Sequence, residues 1–205
     1  MNSLLKPIFN AGVRVILYAA IIVVAVLIVH QDAKLVVDGL KFSEQSYTEY
    51  LQEIMLLVTG VLFLVAGFRQ PKVQGLTALL SGFVFTAFIR EFDWLLDKIV
   101  HGFWVYPAFA LLGGFVFWAF KKRATLAESI KELLSMPTWG VLLSGFLGVF
   151  VFSRLFGKGT FWKALMEDNF IRSAKNAAEE GTELFGYTLL AIAAAEYLIA
   201  KWKKK

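Results

Sequence analysis

Cysteine is absent from the 205 residues, which excludes disulfides, thiolate nucleophiles and thiolate metal ligands. Histidine occurs only as His30 and His101, too few for a three-histidine zinc centre, and without cysteine a mixed Cys/His centre is excluded as well. The sequence has no glycine-rich phosphate loop, no H-E-x-x-H pair and no G-x-S-x-G elbow. Isolated serines such as Ser81 and Ser144 therefore read as helix-packing residues. Internal repeats are missing, including the inverted repeat with paired broken helices that marks many transporters. No low-complexity tract occurs beyond the terminal lysines.

Charge is missing from long stretches, and that absence defines the class. The chain is 58% hydrophobic and 16% aromatic, against about 45–50% apolar in an average soluble domain. The excess falls in six blocks: Val13–Val29, Leu51–Phe68, Val73–Ile89, Phe103–Phe120, Trp139–Phe156 and Leu184–Ala200. At about 1.5 Å per residue, helices of that length just span a hydrocarbon core of about 30 Å. The first block follows basic residues, as a signal peptide would. It is long, however, and Leu27-Ile28-Val29-His30 is not a small-x-small cleavage site, so it reads as a retained span. The predicted fold is an all-α polytopic membrane bundle, residues 1–205 as one domain, with about six transmembrane helices. The formal net charge of +5 fits lysines and arginines flanking membrane spans, and no nucleic-acid partner is expected.

Two local signals mark helix starts. Ser46-Tyr47-Thr48-Glu49 predicts a capping box before the second span, and Thr125-Leu126-Ala127-Glu128 predicts another before a short amphipathic helix at 125–135. In that helix Leu126, Ile130, Leu133 and Leu134 form one apolar stripe, suited to the cytoplasmic membrane surface or, over Lys121–Met136, to a cytosolic protein partner. Gly157-Lys158-Gly159 breaks the chain after span five, and Thr160–Gly181 is polar but helix-permissive.

The basic residues favour a cytoplasmic N-terminus and C-terminus. That orientation places Lys6, Arg14, Arg69, Lys72, Lys121, Lys122, Arg123, Lys131 and the terminal lysines inside. Lys158, Lys163, Arg172 and Lys175 run against the rule. Trp118, Trp139 and Trp202 form an aromatic belt at one level, with Trp94, Trp104 and Trp162 at the other.

This topology brings the remaining charges to one outer depth: His30 and Asp32, then Arg90, Glu91, Asp93, Asp97 and His101, then Arg154, then Glu179, Glu180 and Glu183. If span three continues as a helix, Arg90, Asp93 and Asp97 share a face, and Tyr187 continues the face of Glu179 and Glu183. Ionisable groups beside such apolar stretches tend to face a bundle interior or a water-filled cavity. The plain alternative is that they meet headgroups, complement the dipole of the last span, or form one structural ion pair with Arg90.

Several functions suit the cluster. An oligomeric protein would bind, conduct or sense a cation, including a divalent one. A membrane enzyme would use carboxylates, or a metal held with His30 or His101, on lipid. A sensor or scaffold subunit would keep the acids paired and bind a cytosolic partner. Gly140, Ser144 and Gly148, with Ala110 and Gly114 a weaker version, form small-residue stripes for close helix packing within the chain or in a homo-oligomer. Because the chain has no native cysteine, single cysteines introduced near each terminus should be shielded from an impermeant thiol reagent added outside the cell. Labelling of either terminus from outside reverses the orientation.

Overall fold

A computed structural model describes residues 11–35, 41–42 and 46–202, together with the backbone of 5–10. The side chain of Lys6 and the terminal Lys203, Lys204 and Lys205, which count toward the inner charge, lie outside the described residues. Among the described residues all regular structure is helical. In chain order the helices are α1 (Leu5–Asp32), α2 (Tyr47–Arg69), α3 (Gln74–Glu91), the single turn α4 (Asp93–Leu96), α5 (Val105–Lys121), α6 (Leu126–Leu134), α7 (Pro137–Leu147), the short α8 (Arg154–Phe156), α9 (Gly159–Met166) and α10 (Arg172–Trp202). A π-helical stretch, Gly148–Ser153, joins α7 to α8.

Five stretches are long and apolar enough to cross a membrane: Ala11–Asp32, Tyr47–Arg69, Pro71–Glu91, Pro137–Phe156 and Arg172–Trp202. Helix α5 is apolar but shorter. It lies along α3, with the α5 end at Lys122 over Gly75 and Phe115 over Gly82, so the two helices run antiparallel.

The helix starts follow local chemistry. Ser46 caps α2 in an extended conformation, its Oγ accepting the Glu49 backbone N–H at 3.3 Å. Thr125 does not cap α6. Its hydroxyl donates to the Lys122 carbonyl, and α6 grows directly out of a 3-10 turn at Arg123–Thr125. The predicted stripe on α6 is also split. Leu133 is buried and Leu126 packs against the core, while Ile130 and Leu134 face outward. The face that meets the bundle is Leu126, Ser129, Leu133 and Met136, so α6 has one apolar edge on protein and another free of it.

Helix α10 is the centre. It packs against α2, α7, the π-helical stretch and α1, and α3 joins the bundle through α2. Its small residues Gly186, Ala191, Ala193 and Ala194 are buried, between the larger Tyr187, Leu190 and Tyr197. Within a membrane, helices gain little from the hydrophobic effect against one another, so close packing and interhelical hydrogen bonds hold them. A cross-helix example is Ser81, whose hydroxyl donates to the Gly60 carbonyl at 3.1 Å.

The closest helix approach is α7 to α10, and it does not use the predicted Gly140/Ser144/Gly148 stripe. A Cβ on Gly145 would stand 2.8 Å from the Gly186 carbonyl oxygen, and one on Gly186 would stand 3.0 Å from the Gly145 carbonyl oxygen. At Gly140 a Cβ would meet nothing within 4 Å, and Ser144 bonds back to the Gly140 carbonyl within its own helix at 2.8 Å. Gly148 lies at the edge of the contact, 3.8 Å from Gly186 Cα. Gly145→Ala should therefore destabilise the protein by about 1–3 kcal/mol, because backbone must move to admit the methyl. Gly140→Ala should be neutral. Thermal unfolding of the two variants in detergent checks this, and equal melting temperatures would contradict the assigned interface.

Candidate functional site

The polar cluster forms where α2, α3, the π-helical stretch and α10 converge. Helix α3 supplies Arg90 and Glu91 from its last turn, and α10 supplies Glu179, Glu180, Glu183 and Tyr187. Glu91 is the link between the two. Its Oε1 accepts from Arg90 Nη2 at 2.6 Å and from the buried Tyr187 hydroxyl at 2.7 Å.

Glu183 is 4% exposed, which makes its partners obligatory. Its Oε1 lies 3.0 Å from Arg154 Nη2 and accepts from the Ser153 hydroxyl at 3.0 Å. Ser153 also reaches the Val149 carbonyl on its own helix. A hydroxyl has one hydrogen, so it serves one of these acceptors at a time. The π-helical turn sets up this arrangement by turning Ser153 and Arg154 toward α10. Such bulges recur at functional sites. The nearest basic partner expected from sequence for the α10 acids was Arg90. In the structure Arg154 takes Glu183 and Arg90 takes Glu91.

Glu180 has a different environment. The amide of buried Gln52 on α2 donates to its Oε2 at 3.0 Å and to its backbone carbonyl at 3.1 Å. Both amide hydrogens are thereby used on one residue, which fixes the carboxylate without neutralising it. Among the described residues no ion pair reaches Glu180, although Glu183, Glu179 and Glu91 are all within Coulombic range of it. Glu179 pairs with Lys175 one turn back and packs against Gly157, where a Cβ would stand 2.6 Å from Glu179 Oε1.

The other sequence candidates do not join this group. Helix α3 ends at Glu91, and Phe92, at φ −93° and ψ 17°, breaks the path into α4. The expected continuous face of Arg90, Asp93 and Asp97 therefore does not form. Asp93 opens the single turn α4, half-buried. Asp97 closes the following turn, accepting the Gly102 N–H at 2.9 Å and lying 3.0 Å from His101 Nδ1. The His101 side chain is 99% exposed, and His30 faces outward on α1. Among the described residues no group of three or more His, Asp or Glu side chains is placed to hold a metal ion.

Gln52 and Ser153 are functional partners that the sequence analysis passed over. A signal for each was present: Gln52 sits a turn inside an apolar span, and Ser153 directly precedes an arginine at a span end. Asp32 was placed at the right depth but for another task. It is 3% exposed and caps α2, accepting Tyr47 N–H at 3.1 Å, Thr48 N–H at 2.6 Å and the Thr48 hydroxyl at 2.5 Å.

Comparison with protein-family models, with curated proteins and with solved structures finds no match for this chain. The site must therefore be read from its own chemistry. Glu183→Gln should lower the melting temperature, because Arg154 loses its charged partner. Breaking a fully buried pair costs roughly 3–5 kcal/mol. Arg154 is 39% exposed and can turn toward water, which brings the expected loss to about 1–3 kcal/mol. A double-mutant cycle with Arg154→Gln measures the coupling, and additive effects would remove the pair from the account.

Proposed function

We propose that this chain is a membrane protein of six crossings, with both termini cytoplasmic, that binds a small cation at the outer-side carboxylate cluster as a conducting or sensing protein. The supporting observation is a charge surplus. Glu91, Glu180 and Glu183 interact electrostatically, while only Arg90 and Arg154 are paired into the group, and Glu180 is held by a neutral amide alone. A carboxylate kept near hydrocarbon without a counter-charge is costly, and a cation arriving beside Glu180 relieves that cost. A proton or a singly charged ion suits the geometry better than a divalent one, for which several carboxylates would have to close on a single point.

The sixth crossing is α5, whose antiparallel course along α3 supports it despite its shorter length. A homo-oligomer belongs to the same proposal. Gly140 and Ser144 face away from the chain's own bundle, leaving a small-residue surface for a second copy. The pairing of Glu91 with Arg90 and of Glu183 with Arg154 would equally serve a scaffold or sensor subunit that docks a cytosolic protein at Lys121–Met136, so Glu180 separates the two readings.

The test is Glu180→Gln, which keeps shape and removes charge. Wild-type protein in detergent should gain thermal stability as one of Na⁺, K⁺, Mg²⁺ or Ca²⁺ is added, or as the pH is lowered. At a hundredfold excess over the dissociation constant the gain is about 2.7 kcal/mol. The variant should fold and lose that response. A wild type indifferent to every cation and to pH, or a variant that responds fully, would refute cation binding and leave the scaffold reading.

A further inference from the structure

At the opposite end of the bundle from the carboxylates, the turn between α2 and α3 and one face of α6 enclose a cavity of about 530 Å³. That is within the roughly 300–1,000 Å³ range of small-ligand sites. Its frame is tied across three helices. The Gln70 amide donates to the Lys201 carbonyl at 3.0 Å, and Lys201, 2% exposed, reaches Glu132 on α6 at 2.5 Å. The Lys122 carbonyl closes over Gly75 at the start of α3, where a Cβ would stand 3.1 Å away.

Arg69 and Lys72 line one side of the cavity, and Glu128 and Glu132 the other. Among the described residues neither Lys72 nor Glu128 has an ion pair or a hydrogen bond, and the two do not pair with each other across the gap. An anion alone would satisfy Arg69 and Lys72 and be repelled by Glu128. A cation alone would suffer the reverse. A group carrying both signs answers both walls.

The kind of cation is also constrained. Quaternary ammonium groups are recognised by aromatic cages, and no residue lining this cavity is aromatic. A primary ammonium, with N–H donors for a carboxylate and for Ser129, fits instead. The depth matches a lipid headgroup. Arg69 ends a helix long enough to cross the membrane, and its guanidinium lies 4.0 Å over the Trp202 ring, the pairing of basic and aromatic side chains found at the membrane–water boundary.

We infer that this cavity binds a phosphoethanolamine headgroup, with the phosphate on Arg69 and Lys72 and the ammonium on Glu128. The source is the bilayer, and the site is independent of the carboxylate cluster.

Native mass spectrometry of the full chain in detergent tests this, using phosphatidylethanolamine, phosphatidylcholine and phosphatidylglycerol of matched acyl chains. Phosphatidylethanolamine should be retained about fivefold over each of the others, the ratio for one partly exposed charge pair worth about 1 kcal/mol. Glu128→Gln should erase the preference over phosphatidylglycerol, and Glu128→Asp should restore part of it. Lys72→Gln should weaken retention of all phospholipids that share the phosphate. Both Glu128 and Lys72 are exposed, so melting temperatures of the variants should match wild type and any loss of lipid reads on the site. Equal retention of the three lipids, or a phosphatidylglycerol preference unchanged by Glu128→Gln, would overturn the proposal. Soluble phosphoethanolamine should compete only weakly. Binding as tight as the lipid's would overturn the bilayer source and assign the cavity to the soluble compound.

Discussion

The polar cluster rests on an approach between two glycines. Gly145 on α7 and Gly186 on α10 come so close that neither has room for a methyl group. Eight residues after Gly145 the chain reaches Ser153, and three residues before Gly186 lies Glu183. The helix contact and the ion pair are therefore one construction. Without the approach, Arg154 would stand too far from α10 to meet Glu183 at 3.0 Å. The π-helical turn between them is part of the same constraint. It changes the angular position of Ser153 and Arg154 without moving the axis, so that both arrive on the α10 side. Small residues at a membrane helix interface generally permit backbone proximity. Here that proximity delivers charge to charge.

Helix α1 is held by a different means. Only 6% of its most apolar window is covered by the rest of the protein. It contributes little to the core, and its outward side chains, such as Ile16, Val23 and Leu27, are suited to lipid. It is fastened instead by polar clips near its two ends. At one end Asp32 caps α2 through two backbone N–H groups and the Thr48 hydroxyl. Toward the other, Glu196 on α10 accepts from the Tyr18 hydroxyl and lies 3.4 Å from Arg14 Nε. In a low-dielectric surrounding each clip is more costly to open than it would be in water, which lets a helix with few core contacts keep a defined position.

Helix existence was legible in the sequence because hydropathy is local. A run such as Leu51–Phe68 declares an apolar helix whatever its neighbours do. The Ser46 cap was legible for the same reason, since cap and acceptor lie within one turn. What could not be read was set by partners distant in sequence. The end of α3 at Phe92 broke a face that periodicity alone would have continued through Asp97. The glycine that meets α10 is Gly145 rather than Gly140 or Ser144, because spacing gives a stripe but not its direction. The identity of the α10 acids followed from charge in an apolar setting, whereas the assignment of Arg154 to Glu183 and of Gln52 to Glu180 depends on which helices adjoin, and no local rule supplies that.

The contrast between Glu183 and Glu180 carries the functional argument further than the number of acids does. The two are three residues apart on one helix, in the same apolar setting. Glu183 receives a guanidinium and a hydroxyl, the arrangement that stabilises a fixed charge. Glu180 receives a primary amide that spends both hydrogens on it. An amide orients a carboxylate but leaves its charge uncompensated, so the second oxygen remains available to whatever positive species reaches the bundle. If the acids of α10 served only to lock helices together, an arginine or lysine opposite Glu180 would do so more strongly than Gln52. The observed pairing leaves one negative charge positioned and unbalanced beside two that are neutralised, and that asymmetry is what a reversible cation site requires and a purely structural ion-pair network does not.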